Sequence, residues 1–551
     1  MLRLLRIVIL TLAVASGSVA QTPPPVSAPS PSLSPAVTAA SLQTEADAFY
    51  RKGHFDSAGQ KYQQLIQEHP TLPEAYAGLT RVYLKQKNVD LAFATVSKGM
   101  QMADSVPVRV ALGEVYFRQG KIGEAEHEWV KVINSGGFEA RAFLGMAWVS
   151  DAISLHKRAK TMIDQAYTLD ADDPDIRSYW AASLNRSGRI KHLQDELSHA
   201  TDDQQTRAEQ SQLDYLSARA KEKGNCRLVS NKTSAETDLM RLLDGPDRLR
   251  GYALPVVVNG EKSKLLLDTG SGGILVDRRV AEKAGLTELS KTRIGGIGDK
   301  GESGGYVAVA HSIKIGQLEF QDCAVEVLDK RSVLDDDGLI GGDVFDAFLV
   351  DLDFPKEKLR LTELPKRQED VGRNIGLQAD IDSDSSDEKP RETNPAAAAN
   401  QPPASSGPHD RFIAAEMKSY TQVFRFGHML LVPTRVGNAP EKLFLLDTGA
   451  FGNTISPEAA REVTKVHRDS DTFIKGLGGT VKDVYSADKA VIRFGHLRQP
   501  NEDMVTFDLS GISNNVGTEI SGTLGFDTLR LLDIKIDYRD GLVDFSYKPN
   551  P

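Results

Sequence analysis

An apolar run that ends in Asp-Thr-Gly stands in this chain twice, as KLLLDTGSGGILVD at Lys264–Asp277 and as KLFLLDTGAFGNTIS at Lys442–Ser456. Strands as apolar as Leu265–Leu267 belong in a core, and a buried carboxylate is costly unless it is hydrogen-bonded, paired or protonated. Taken alone, either motif reads as a strand that ends at a turn, with Asp and Gly as ordinary turn residues. Together they say more. Asp268 and Asp447 are 179 residues apart, and the same offset relates Thr269 to Thr448, Gly270 to Gly449, Gly273 to Gly452, Tyr306 to Tyr485, Ile313 to Ile492, Ile315 to Phe494 and Gly316 to Gly495. Further on the offset becomes 184, where GLIGGDVF from Gly338 meets GTLGFDTL from Gly522, and Leu352-Asp353-Phe354 meets Ile536-Asp537-Tyr538. The chain therefore carries two internal copies of one unit. Short β-rich runs punctuated by Gly, Asn and Asp make each copy a compact β unit.

At 551 residues several domains are expected. The opening residues carry Arg3 and Arg6, an apolar run from Ile7 to Ala15, and small residues at Ser18 and Ala20, the layout of a secretory signal cut after Ala20. The run is shorter than the roughly 20 apolar residues that span a bilayer, so the mature protein is expected to be exported, periplasmic or extracellular, with no integral membrane segment. Residues 21–40 are rich in Pro, Ser and Ala and read as a disordered linker. A second low-complexity stretch, Asp380–Asp410, has too few apolar residues to fold, and 365–410 is assigned as a linker. The β units are placed at 245–364 and 411–551. The net charge of −10, with no basic stripe, argues against nucleic acid as the main partner.

Between the first linker and the first β unit, residues 41–223 show helical patterning, with a fixed period over about 41–173 and a weaker continuation to 223. Alanines recur at Ala58, Ala92, Ala125 and Ala159, each followed four residues later by Tyr62, Val96, Trp129 and Ile163. The steps of 34, 33 and 34 residues match the helix-turn-helix period of tetratricopeptide (TPR) repeats. Small alanines let paired helices approach, and the larger residue one turn on fills the gap between them. The turn glycines Gly53 and Gly120 keep the step, while Lys87 and Ser154 stand where that repeat would have glycine.

The two β units resemble the aspartic proteases, the pepsin and retroviral-protease superfamily, over about Gly251–Leu364 and Val423–Tyr547. In that family each lobe supplies one Asp-Thr/Ser-Gly loop and a second hallmark, two apolar residues before Gly. Leu339-Ile340-Gly341 matches the second hallmark in the first lobe, and Thr523-Leu524-Gly525 matches it in the second with threonine at its first position. The resemblance implies a multidomain chain, with an all-α TPR-like helical repeat domain followed by an all-β bilobal unit. It implies an aspartic endopeptidase in which Asp268 and Asp447 share one proton. The ionised member takes a proton from the attacking water, and the protonated member hydrogen-bonds the peptide carbonyl. Thr269, Gly270 and Ser271, their counterparts Thr448, Gly449 and Ala450, and Gly341 and Gly525 would support the loops. The threonine hydroxyls would tie the lobes together, and Gly270 and Gly449 would let the backbone turn tightly. Gly295, Gly296 and Gly298, with Gly476, Gly478 and Gly479, are flap candidates, while Tyr306 and Tyr485 are in register without a clear flap role. Peptides or proteins are the expected substrates, and the repeats would recruit a protein partner or substrate. No cofactor or metal is expected. A non-catalytic peptide-binding scaffold with protease-like lobes, and a protease active only as a trans-assembled dimer, remain as alternatives.

Other constellations fail. Gly296-x-Gly298-x-x-Gly301 matches a dinucleotide fingerprint, but no apolar strand leads into it and a strand pattern follows it. Asp335-Asp336-Asp337-Gly338 lacks the first ligand of a calcium loop and reads as a solvated acidic turn. No His-Glu-x-x-His pattern, Gly-x-Ser-x-Gly elbow or phosphate-binding loop is present. His311, His428 and His496 read as surface or strand-end residues. Cys226 and Cys323 fall in segments assigned to different units; an exported chain could pair them, and two unlinked thiols is the reading adopted.

Overall fold

The computed structural model describes residues 35–199, 203–221, 226–298, 301–330, 336–367 and 408–547. The expected export signal and most of both linkers lie outside the described residues. The first helix begins at Pro35, so the end of the stretch read as a linker is helical.

Helices α1 (Pro35–Arg51), α2 (Phe55–Glu68), α3 (Pro73–Lys85), α4 (Val89–Met102), α5 (Val106–Arg118), α6 (Ile122–Asn134), α7 (Ala140–Ala152), α8 (His156–Leu169), α9 (Pro174–Ala182), α10 (Arg186–His199) and α11 (Asp203–Lys221) follow one another in the N-terminal region. The periodic residues are its core: Ala58, Ala92, Ala125, Tyr62, Val96, Trp129 and Ile163 are all buried. Trp129 lies on Gly113 and Gly145, where any added methyl would overlap the indole, and its Nε1 donates to the Val110 carbonyl at 3.1 Å. The four turns share one backbone solution. Gly53 and Gly120 are left-handed with φ of 75° and 72°, and Lys87 and Ser154 adopt the same region at 61° and 57°. The repeat thus persists in conformation where the sequence departs from glycine. On the inner side Arg141 is buried among Glu114, Asp173 and Asp175, and Arg51 of α1 reaches Asp170 at 2.9 Å.

The β region begins earlier than expected. Arg227–Leu228 already pairs with Phe320 and Gln321 of the first lobe. Cys226 and Cys323 are joined in a disulfide, which corrects the reading of two free thiols in separate units. The acidic turn is not solvated either. Asp336 pairs with Arg250 at 2.5 Å, and Asp337 accepts the Lys264 N–H at 2.9 Å and pairs with Arg279.

Each lobe is a curled sheet, of eleven strands in the first and ten in the second. In each, the strand that carries the aspartate runs parallel to the strand of the second hallmark. Glu261–Asp268 lies beside Gly338–Gly341, with Asp268 opposite Gly341. Glu441–Leu446 lies beside Gly522–Leu524, and the Asp447 N–H donates to the Leu524 carbonyl at 3.0 Å. A six-stranded sheet joins the lobes, and at its centre Phe348–Asp353 pairs antiparallel with its own copy, Leu532–Asp537. Asp351 faces Lys535, its counterpart at the 184-residue offset. A strand that pairs with its own duplicate at matching positions is what a local two-fold requires.

The helical region packs on the second lobe. Val110, Phe117, Ile122 and Trp129 share one apolar cluster with Leu431, Leu443, Leu445, Phe507 and Ile520. Thr518 donates to the Phe117 carbonyl at 2.7 Å, and Arg118 to Asn514 at 3.0 Å.

The turn geometry gives a test free of packing effects, because nothing lies within 4 Å of a methyl added at Gly53. Gly53→Ala should cost about 1–2 kcal/mol, the penalty of a left-handed non-glycine residue. Lys87→Gly should stabilise by a smaller amount, offset by the freedom glycine gains in the unfolded chain. Denaturant midpoints of the two variants check the opposite signs.

Candidate active site

Both aspartates are nearly buried, and the two loops that carry them meet back to back. The Thr269 N–H donates to Thr448 Oγ1 and the Thr448 N–H to Thr269 Oγ1, each at 3.0 Å. Each hydroxyl then donates across the boundary at 2.8 Å, Thr269 to the Leu446 carbonyl and Thr448 to the Leu267 carbonyl. All four bonds are buried, where a donor without a partner costs about 1–3 kcal/mol. The arrangement repeats under the local two-fold and forces the carboxyls together.

Gly270 and Gly449 serve a different purpose from the one expected. Neither is among the residues with positive φ, so the turn itself does not demand glycine. A methyl on Gly270 would stand 2.7 Å from Asp447 Cγ, and one on Gly449 would stand 2.5 Å from Asp268 Cγ. Each glycine makes room for the opposite carboxyl. Gly341 and Gly525 are needed for the same kind of reason, since a methyl there would overlap the Ser271 carbonyl or the Gly452 backbone.

The two carboxyls are not equivalent. Asp268 Oδ1 accepts the Gly270 N–H at 2.9 Å, and Oδ2 accepts the Ser271 hydroxyl at 2.7 Å. Asp447 accepts the Gly449 and Ala450 N–H groups, both at 2.9 Å, on Oδ1 alone. Ala450 has no hydroxyl to match Ser271. Burial first, and then the neighbouring Asp268, push the Asp447 carboxyl up to about 8. Two carboxyls so close disfavour double ionisation, so the pair can hold one proton with Asp447 as its bearer.

The glycines expected to form flaps converge on one another. In the first lobe Glu288–Ile294 and Ser303–Ala310 form a hairpin, and in the second Ile474–Gly476 pairs with Gly479–Val481. The Gly478 N–H donates to the Ile297 carbonyl at 2.9 Å, so the two tips are bonded to each other. A methyl on Gly298 would overlap the backbone of Gly478 and Gly479, one on Gly476 would overlap the Ile297 carbonyl, and one on Gly296 would stand 2.6 Å from Leu477 Cβ. Gly295 has room for a side chain. Each tip also crosses to the far lobe: Leu477 packs on Leu266, Ile294 and Leu339, and Ile297 packs on the cluster that contains Leu445 and Phe507. Tyr306 and Tyr485 sit in paired strands away from the tips.

Sequence reasoning missed one neighbour. His428 does close a strand end, as expected, but its ring lies against the backbone of Gly272 in the Asp268 loop. No sequence signal marks it, because the contact comes from the other lobe. Among the described residues no cluster of His, Cys, Asp or Glu has the arrangement of a metal site.

Comparison with known proteins agrees with this geometry in the first lobe. Residues 254–344 match the family described as aspartyl protease, so an aspartyl protease domain occupies that segment. DNA damage-inducible protein 1 of Chaetomium globosum is 32% identical over 108 residues, 19% of this chain and 23% of the relative. The UBA domain-containing protein Mud1 of Schizosaccharomyces pombe is 32% identical over 108 residues, 19% of this chain and 31% of the relative. The chain thus spans under a third of the length of these relatives. Among solved structures, the aspartic proteinase from Irpex lacteus aligns with a TM-score of 0.34 and 13% identity, over 57% of this chain and 98% of that one.

The buried proton has a stability consequence. An unfolded Asp titrates near 3.9, whereas folded Asp447 holds its proton up to about 8. The folded state binds more protons across that window, so this group's contribution is present below about pH 4 and is lost as pH rises towards 8. Asp447→Asn removes the loss. Its melting temperature should therefore exceed that of the unaltered protein at pH 8, with the difference shrinking towards pH 4.

Proposed function

We propose that this chain is an aspartic endopeptidase whose two lobes form a single intramolecular site, with Asp268 and Asp447 as the catalytic pair. The observation that carries the reading is the reciprocal Thr269–Thr448 bonding, which brings two nearly buried carboxyls together within one hydrogen-bonded loop pair. Asp268 removes a proton from water as the oxygen attacks the peptide carbonyl. Asp447 hydrogen-bonds the carbonyl oxygen as it gains negative charge and later supplies the proton that the leaving amine needs. Flap closure excludes bulk water from a reaction that depends on one proton staying in place. An extended peptide suits a cleft roofed by two flaps, since its backbone groups can pair with flap backbone.

The helical repeats resemble TPR units and would recruit a protein partner or substrate. The charged groove among α1, α3 and α7, lined by Arg51, Glu74, Arg81 and Glu139, supports that role. Export through the N-terminal signal is part of the same proposal, and the Cys226–Cys323 disulfide suits an oxidising compartment. Bonding of the two threonines within one chain favours assembly in cis over a site shared between chains.

Cleavage of a diverse peptide library by the mature protein tests the reading. Endoproteolytic cuts should appear, be blocked by a statine-type transition-state analogue, and fall by about a thousandfold or more in Asp268→Asn. The rate should decline as pH rises past about 8, where Asp447 gives up its proton. A folded protein that cuts nothing at any pH, or an Asp268→Asn variant that cuts normally, would overturn it.

A further inference from the structure

One hairpin connects the helical region to the Asp268 loop. Its strands are Phe424–Phe426 and Met429–Val436, and its turn is Gly427-His428. On the helical side the Phe426 ring lies 5.9 Å from that of Phe117 in α5. Arg425 donates to the Gly427 carbonyl at 2.9 Å and to the Tyr538 carbonyl at 2.8 Å, and it faces Asp151 of α7. The strand that leads into the turn is therefore held by the helices and by the sheet that joins the lobes.

At the tip, His428 reaches into the opposite lobe. A methyl on Gly272 would stand 2.8 Å from its Nδ1 and 2.9 Å from its Cγ, so the ring rests directly on that backbone. The Gly270 carbonyl also lies near the imidazole and favours its charged form. Gly270 in turn holds Asp268 Oδ1 through its N–H at 2.9 Å. A single side chain thus grips the Asp268 loop at two points. The related position of the second lobe is built differently. Phe451, four residues past Asp447 as Gly272 is four past Asp268, lies beneath the guanidinium of Arg248 at 4.1 Å from the ring centre. Arg248 is exposed, and its contact is with a side chain and not with the loop backbone.

We propose that His428 is a positioning residue for Asp268, fixing the 268–272 loop from the opposite lobe and placing a titratable group beside one carboxyl of the pair only. The inference rests on the aspartic endopeptidase reading. Burial holds the imidazole below its ordinary value; Asp268 and the Gly270 carbonyl oppose this, and Arg425 adds to it. Near neutrality the ring is therefore uncharged, with an N–H that it can offer to the loop. As pH falls it gains a proton, and the new positive charge faces Asp268.

Two variants of the full-length protein separate positioning from bulk packing. His428→Phe keeps a ring and removes the donor, and it should lower kcat about tenfold with KM nearly unchanged. His428→Asn keeps a donor and should recover most of kcat, while losing the inflection below pH 6.5 that the imidazole gives the kcat/KM profile. If both variants change only the melting temperature, with pH profiles superposed on that of the unaltered protein, the proposal is overturned. A second readout needs no turnover: the His428 titration followed by NMR should move down in Asp268→Asn, because a carboxylate that favours the imidazolium has gone. An unmoved midpoint overturns the proposal, whereas undiminished cleavage by Asp268→Asn overturns the dyad reading and leaves the NMR midpoint to decide the role of His428.

Discussion

The reciprocal hydrogen bonds between Thr269 and Thr448 are the constraint on which the rest of the site depends. Each threonine accepts the other's backbone N–H and donates to the carbonyl just before the opposite lobe's aspartate, so the two loops are locked to each other. Four buried bonds, each worth about 1 kcal/mol net, are a small share of the stability of the whole. Their effect is positional. They set the distance between two carboxyls that would otherwise move apart by repulsion, and the glycines at 270 and 449 leave out the side chains that would press on the opposite carboxyl.

From that fixed point the two lobes diverge. Ser271 donates its hydroxyl to Asp268, where Ala450 offers Asp447 a backbone N–H and no hydroxyl. His428 rests on Gly272 where Arg248 covers Phe451. Met240–Asp244 pairs along the first lobe and Phe424–Phe426 along the second, where the helices also join the cluster of Leu443, Leu445 and Phe507. A symmetric frame with asymmetric surroundings gives each carboxyl its own environment, and this is what allows one proton to have a preferred owner. The helices are built into this frame: the Thr518 and Arg118 contacts anchor a loop that lies directly before the Gly522–Leu524 strand.

Much of this was legible in the sequence because duplication is a one-dimensional signal. The 179-residue offset carried the two aspartates, the threonines and the glycines after them into register, the 184-residue offset carried Gly341 and Gly525, and the 34-residue step carried the alanines and the turn glycines. What the sequence concealed depends on which parts meet in space. Gly270 reads as a turn residue until Asp447 is seen beside it. His428 is an ordinary strand-end histidine until the opposite lobe presents Gly272. Cys226 looked separate from Cys323 because the β region was taken to start later than it does, whereas Arg227 already belongs to the first sheet. Lys87 and Ser154 looked like departures from the repeat, yet their backbone follows it, since conformation there is set by the paired helices on either side.

The central claim is that Asp268 and Asp447 share one buried proton. Carboxyl carbon NMR of selectively labelled aspartates, titrated from pH 3 to 9 in the unaltered protein and in Asp268→Asn, measures it directly. The result expected is one carboxyl that stays protonated through neutral pH and gives up its proton near 8, with a midpoint that falls when Asp268 is made neutral. Two carboxyls that titrate independently near 4, as isolated aspartates do, would contradict the account.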